Sequence, residues 1–395
     1  MRIYADNAAT TKLSEAAREV YIKAVDEYYA NPSSLYTDGQ RAKEALEGAR
    51  ERIARCIGAD AREIIFTSGG SESDNQAVLT AIATGQRTGK KHILSDIIEH
   101  HAILHSLDRA KKGGFDVDYL SVASDGIVRT RDVEEGLRDD TCLVTIMYAN
   151  NEIGTIQPIR EIGEICRRRG VLFHTDAVQA VGHLPIDVKA EKIDLLSASA
   201  HKFHGPRGVG FLYVRNGVRA GPLIEGGAQE GGRRAGTENV AGVLAMATAL
   251  EESIAAMRQK SKQLARMRDR LIHGLSEIPH SALNGDAIKR LPSNVNFCFE
   301  GIEGESLLLL LDDRGISASS GSACTSGSLD PSHVLLGIGR PHDVAHGSLR
   351  LTLGEDVTEE EVDYMIRSVR EVVEYLRSFS PVWRDLVSGK AKFIL

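Results

Sequence analysis

Lys202 closes a serine-rich run, Asp194-Leu-Leu-Ser-Ala-Ser-Ala-His201-Lys202, and Asp176 lies 26 residues upstream, ending Val171-Leu-Phe-His-Thr-Asp176. A lysine amine and a buried carboxylate are the two groups that pyridoxal phosphate asks of a protein. The amine holds the aldehyde as a Schiff base, and the carboxylate keeps the pyridine nitrogen protonated so that the ring accepts electrons. Ordinary strand ends of an α/β domain would also supply such a pair, so it needs company.

Phe66-Thr-Ser-Gly69-Gly70-Ser71-Glu72-Ser73-Asp74-Asn75 follows a strand-like run and opens a helical one. Small residues let the backbone come close to a ligand, and unpaired N–H groups at a helix N-terminus attract an anion such as a phosphate. A plain helix cap with an acidic first turn fits the same letters. The segment is neither a Walker loop nor G-x-G-x-x-G, so a nucleotide is not favoured. Arg350 stands in the alternating run Ser348-Leu-Arg350-Leu-Thr-Leu353. Its planar guanidinium can grip a carboxylate with two hydrogen bonds, or simply face water from a strand. His100 and His101 open a helix, as polar surface or as site residues. With His201-x-x-His204 they lack a third ligand at metal-binding spacing.

Cys324 sits in Ser317-Ala-Ser-Ser-Gly-Ser-Ala-Cys324-Thr-Ser-Gly-Ser328, which has few bulky side chains to anchor it. A packing cysteine has apolar neighbours, as Cys142 and Cys298 do. An exposed, mobile cysteine can form the reactive thiolate. About ten such residues have a typical end-to-end distance of ~18 Å and reach at most about 35 Å. A free thiol in an inert loop is the alternative.

The elements that must position these residues alternate. Residues 63–67, 92–95, 116–120, 142–147 and 171–173 read as strands, with helices over 71–86, 101–112 and 159–169. That rhythm predicts a mostly parallel sheet under helices, with ligands at the carboxyl ends of its strands. Residues 238–278 read as a long helix bridging two domains. A strand (295–299), helix (304–313), strand (349–353) and helix (358–378) follow, an α+β pattern that residues 1–13 would join.

The 395 residues carry a net charge of −7, with 42% apolar and 26% charged. That suits a large domain plus a smaller one and disfavours a nucleic-acid partner. No run approaches the ~18 apolar residues of a membrane span, and no signal peptide is evident. Five cysteines without a C-x-x-C pair fit a reducing cytoplasm.

Together these segments resemble the cysteine desulfurases of the NifS/IscS type, built on the aspartate aminotransferase fold. The resemblance runs from Ala5-Asp-Asn-Ala-Ala-Thr-Thr11 to about residue 378. It includes Asn31-Pro-Ser-Ser34, Glu99-His-His-Ala102, Asn150-Asn-Glu-Ile-Gly154, Arg234-Ala-Gly-Thr-Glu-Asn239 and Ser319-Ser-Gly-Ser-Ala-Cys324-Thr-Ser-Gly327. It implies an α/β, fold-type-I pyridoxal phosphate enzyme. The large domain, 14–258, would hold a mostly parallel seven-stranded sheet, and residues 1–13 and 259–395 would form the small domain.

The resemblance also implies roles. Lys202 would carry the coenzyme, Asp176 would face its ring nitrogen, Gln179 its ring hydroxyl, and His100 would stack on it and help move protons. Gly70, Ser71, Ser199 and His201 would hold its phosphate, joined in a homodimer by Thr237 of the neighbouring subunit. Asn151 and Arg350 would bind the carboxylate of L-cysteine. Cys324 would take its sulfur as a persulfide, leaving L-alanine, and pass it to an iron–sulfur scaffold protein or a thiolation enzyme. No resident metal is implied, though Cys324 could ligate a transient iron–sulfur cluster.

Tyr36 stands where many members have histidine, Ser71 replaces the commoner threonine, and the tail Ser388–Leu395 does not match the one expected for scaffold docking. An aminotransferase of the same fold would need Lys202, Asp176 and Arg350 but gives Cys324 no task. A non-catalytic protein that kept the fold would need none of them.

Overall fold

The computed structural model describes residues 2–320 and 331–395. Strands β1 (Ile3–Tyr4), β2 (Ile64–Thr67), β3 (His92–Asp96), β4 (Asp116–Leu120), β5 (Thr141–Thr145), β6 (Leu172–Asp176), β7 (Leu195–Ser199) and β8 (Gly210–Val214) precede a long helix, Val240–Ser276. After it come β9 (Ser281–Leu283), β10 (Asn294–Phe299), β11 (Ile316–Ser317) and β12 (Ser348–Thr352).

Seven strands form the main sheet in the order β2-β8-β7-β6-β5-β3-β4. Only β8 runs against its neighbours; pairs from β7 through β4 are parallel. The Gly210–Val214 strand had no place in the sequence reading, because its short apolar run lacks a helical partner to mark it. Its role is to fill the gap between β2 and β7. The central strands are buried on both faces, as a helix-covered sheet requires. The helix Gly70–Thr88 packs against β7, β8 and β5, which brings its first turn over the strand ends.

The long helix Val240–Ser276 serves two cores. Val243, Met246 and Leu250 pack with the main sheet's helices. Leu264, Met267, Leu271 and Leu275 pack in a second cluster with Phe297, Leu351 and Met365. That second cluster also takes in Ile3 and Ala5, because β1 pairs in parallel with β11. The helix is long and apolar enough to span a membrane by composition, yet half of its most apolar window is buried in the protein. The chain's last residues fold onto the second cluster's side: Phe393 stacks on His280 at 3.6 Å, and the Ile394 amide donates to Glu300 at 2.9 Å.

Candidate active site

One cavity of about 370 Å³ opens at the carboxyl ends of the main sheet's strands. It is lined by Gly70, Ser71, His100, Asn151, Asp176, Gln179, Ser199, His201, Lys202 and Arg350. These residues span 281 positions of the chain, from the start of the helix Gly70–Thr88 to β12. Every candidate singled out from the sequence for the coenzyme or the substrate carboxylate is there except Thr237. Thr237 is exposed on its loop. Cys324 lies outside the described residues.

Strand geometry delivers the central pair. Asp176 is the last residue of β6, in register with Ser197 on β7. Lys202 ends the single 3-10 turn that follows β7, so both reach the same crevice. The Lys202 ammonium donates to the carbonyls of Ala8 and Ala9 at 2.6 and 2.7 Å. Gln179 Nε2 also donates to the Ala8 carbonyl, at 2.9 Å. The N-terminal segment thereby forms one wall, and its backbone oxygens were not legible as site groups.

Asp176 is buried and accepts from the Val178 amide at 2.9 Å. Burial pushes its carboxyl above the ordinary range, opposed by His100, by that amide and by Lys202. His100 caps the helix His101–Lys112, its Nδ1 accepting from the Ala102 amide at 3.1 Å. Burial, with Lys202 and Arg207, lowers the His201 imidazole to about 4, so at neutral pH it is uncharged. His201 Nδ1 bonds Thr10 Oγ1 at 3.1 Å.

The phosphate-type cradle is built by small residues. Gly69 precedes the helix Gly70–Thr88 at φ 149°, a conformation that disfavours any side chain. A Cβ on Gly70 would stand 2.5 Å from Val178 Cγ2, so the close packing of this turn on the Asp176-Ala-Val178 corner requires glycine. Glu72, one turn along, accepts from Arg234 Nε at 2.9 Å and from the Ser68 amide at 2.7 Å. That bond ties the Thr237 loop to the cradle.

Arg350 is not a solvated strand residue. It is 2% exposed, and its guanidinium donates to the Asn151 carbonyl at 3.0 Å and to Asp6 at 2.8 Å. Its Nε has no hydrogen-bond partner among the described residues. A buried cation so held, in a residue lining the cavity, keeps unused donor capacity of the kind carboxylate recognition uses. Its backbone pairs with Ser319, N–H to carbonyl in both directions, at 2.6 and 3.2 Å.

Several groups went unread in the sequence. Asp74 lines the cavity with Met147, Ala149 and Val178. In Ser71-Glu72-Ser73-Asp74 it passed for an acidic cap, although its spacing of four from Gly70 puts both on one helix face. Glu99 is buried with neither carboxylate oxygen partnered among the described residues. Burial first, then Asp96, Asp176 and Asp74, hold its carboxyl well above the usual range.

The comparisons agree with this geometry. The aminotransferase class-V family profile matches residues 3–365. The chain belongs to that family. It is 50% identical over 392 residues to a cysteine desulfurase IscS of Clostridium botulinum, covering 98% of each chain. It is 52% identical over 380 residues to one of Methanosarcina thermophila, covering 96% of this chain and 94% of that one. A solved NifS-like protein superposes with a TM-score of 0.89 at 37% identity, over 95% of this chain and 100% of the other. The fold is thus the α/β fold of the NifS-like members of this class-V family, whose enzymes depend on pyridoxal phosphate.

The residues present fit that coenzyme. A lysine amine and a buried aspartate lie in one cavity, and a glycine cradle at a helix N-terminus stands beside them. Neutral His201 and the Ser199 hydroxyl can bond a phosphate without clashing charge.

Proposed function

We propose that this chain takes sulfur from L-cysteine, releases L-alanine and carries the sulfur as a persulfide on Cys324. One observation carries the reading: the described ends of the Cys324 segment are held beside the cavity, one by cavity-lining Arg350 and the other by the chain neighbours of Asn151 and His100. On one side Ser319 pairs with Arg350. On the other, the Ser332 hydroxyl donates to Glu152, and His333 Nε2 bonds the Glu99 carbonyl at 3.0 Å. Cys324 is five positions from Ser319, a reach of at most about 18 Å.

Lys202 would hold pyridoxal phosphate, Asp176 would face its ring nitrogen, and Gly70, Ser71, Ser199 and His201 would hold its phosphate; the group would supply an electron sink. Gln179 would serve its ring hydroxyl, and His100 would lie against its ring. Arg350 and Asn151 bind and orient the substrate carboxylate, which sets the Cα–H and the sulfur in place. Lys202 Nζ would take the Cα proton. The Cys324 thiolate attacks the substrate sulfur. The S–S bond forms as the C–S bond breaks, and that bond's electrons stay with the carbon fragment, which gains protons to become alanine.

Three further parts of the reading belong here. The division into 14–258 and into 1–13 with 259–395 is supported by the two apolar clusters, the second uniting Ile3 and Ala5 with residues from 264 onward. A homodimer in which Thr237 completes the partner's phosphate site is supported by that residue's exposure and by its loop's link to the cradle through Arg234. Exposed Ile22, Val25, Tyr29, Leu35 and Tyr36 offer apolar surface for the second copy. The persulfide acceptor we propose is an iron–sulfur scaffold protein or a thiolation enzyme in the same cytoplasmic compartment.

The test is incubation with L-cysteine alone. Alanine should form without any keto acid, and mass spectrometry should find a +32 Da adduct on Cys324. The Cys324→Ala variant should keep the coenzyme's visible absorbance and lose both products. Alanine formation that requires a keto acid would replace this reading with an aminotransferase.

A further inference from the structure

Behind Asp176 the protein buries a second carboxyl for which the reaction above has no use. Asp74, on the inward face of the helix Gly70–Thr88, is 1% exposed, and Asp176 is 6% exposed. Ligand atoms of Asp74, Asp176 and His100 lie within 4.8 Å of one another. Asp74 Oδ1 has no hydrogen-bond partner among the described residues. His174 Nε2 is 3.7 Å from it and already bonds Ser197 Oγ at 3.0 Å, while His174 Nδ1 bonds Thr145 Oγ1 at 2.9 Å.

Carboxyl, imidazole and hydroxyl groups from four elements face Asp74. From β6 come Asp176 and His174, from β7 Ser197, from the start of the neighbouring helix His100, and from the turn after β3 the buried Glu99. His174 is neutral, because burial lowers its imidazole to about 3. Two carboxyls this close, shut away from water, cannot both ionise. Asp176 holds the Val178 amide and faces His100 and Lys202, whereas Asp74 has the Ser197 hydroxyl and the Asp176 carboxylate beside it. The shared proton therefore resides on Asp74, whose carboxyl burial and Asp176 hold well above its usual range.

We propose that Asp74 is a neutral acid that donates a hydrogen bond to Asp176, fixing the carboxylate that meets the coenzyme's ring nitrogen. It is a positioning residue. Thr145, His174, Ser197 and Asp74 then form one buried hydrogen-bonded chain ending on Asp176. The chain leaves Asp176 a single negative charge with one fixed orientation.

The inference rests on reading Asp176 as the ring-nitrogen partner. The test compares wild type, Asp74→Asn, Asp74→Leu and Asp176→Asn, each reconstituted with pyridoxal phosphate carrying ¹⁵N in its ring. Coenzyme dissociation constants and the ¹⁵N shift between pH 6 and 9 are read. Asparagine still donates, so Asp74→Asn should bind within about threefold of wild type and keep the ring nitrogen protonated. Leucine cannot donate. Asp74→Leu should bind roughly tenfold to a hundredfold more weakly, the loss of one hydrogen bond to a charged group, and lose ring protonation at lower pH. Asp74→Asn failing as Asp74→Leu does would overturn the proposal, because charge would then be the requirement. So would Asp74→Leu matching wild type. If Asp74→Leu does not fold, the ¹⁵N shift of Asp74→Asn decides alone. An unchanged Asp176→Asn spectrum would instead refute the ring-nitrogen assignment itself.

Discussion

Replacing Glu152 with glutamine should stabilise the coenzyme-free protein increasingly as pH rises. Glu152 follows Asn151 at the cavity and is buried. Burial raises its carboxyl from 4.5 to about 7, partly opposed by the Ser332 hydroxyl, Arg350 and His100. In the unfolded chain it ionises near 4.5; in the folded protein it keeps its proton until about pH 7. Below about 4.5 both states are protonated and the group costs nothing. Between those values the unfolded state alone gains by ionising, so folding stability falls. Two and a half units correspond to about 3 kcal/mol, complete above pH 7. Glutamine keeps an acceptor for Ser332 but does not titrate. For 395 residues, an unfolding entropy of about 0.8 kcal/mol/K converts that difference to about 4 °C in melting temperature. Thermal melts of both proteins at pH 4.5, 6 and 8 should diverge progressively, with the variant higher at pH 8. Parallel curves across that range would refute a raised Glu152.

Other perturbations report on the site itself. Gly70→Ala should weaken coenzyme binding about tenfold or more, because its methyl meets Val178 at 2.5 Å and displaces the cradle; equilibrium dialysis measures this. Arg350→Lys should lower kcat/KM for L-cysteine by about tenfold to a hundredfold through KM, since an ammonium cannot reproduce the forked hydrogen bonds. Lys202→Ala should abolish the covalently held coenzyme's absorbance, so an unchanged spectrum would place the anchor elsewhere. Thr237→Val should weaken the phosphate site, and mixing it with a Lys202→Ala protein should restore one intact site per hybrid dimer if the threonine acts across subunits.

Much of the fold was legible because periodicity and punctuation agreed. The helices 101–112, 159–169 and 304–313 lie where the apolar spacing placed them. The β8 strand was not legible: its reversed direction depends on its neighbours in space, which a short apolar run does not state. The motif-bearing side chains were legible by residue type and order. The backbone oxygens of Ala8 and Ala9 carry no such signature, since any residue has a carbonyl.

The sequence by itself determined which chemistry the chain can attempt: a lysine and an aspartate at strand ends, glycines before a helix, an arginine between leucines, and Cys324 among serines. Those are properties of residue type and local spacing. Tertiary structure decided the electrostatics. Asp74 read only as part of an acidic first turn until its helix was seen pressed on β6 and β7, and the choice between a solvated strand face and a substrate-facing Arg350 was made by Asp6 and Asn151 enclosing it. A carboxyl's charge depends on what surrounds it after the chain has closed, and burial is a property of the whole fold rather than of neighbours in sequence.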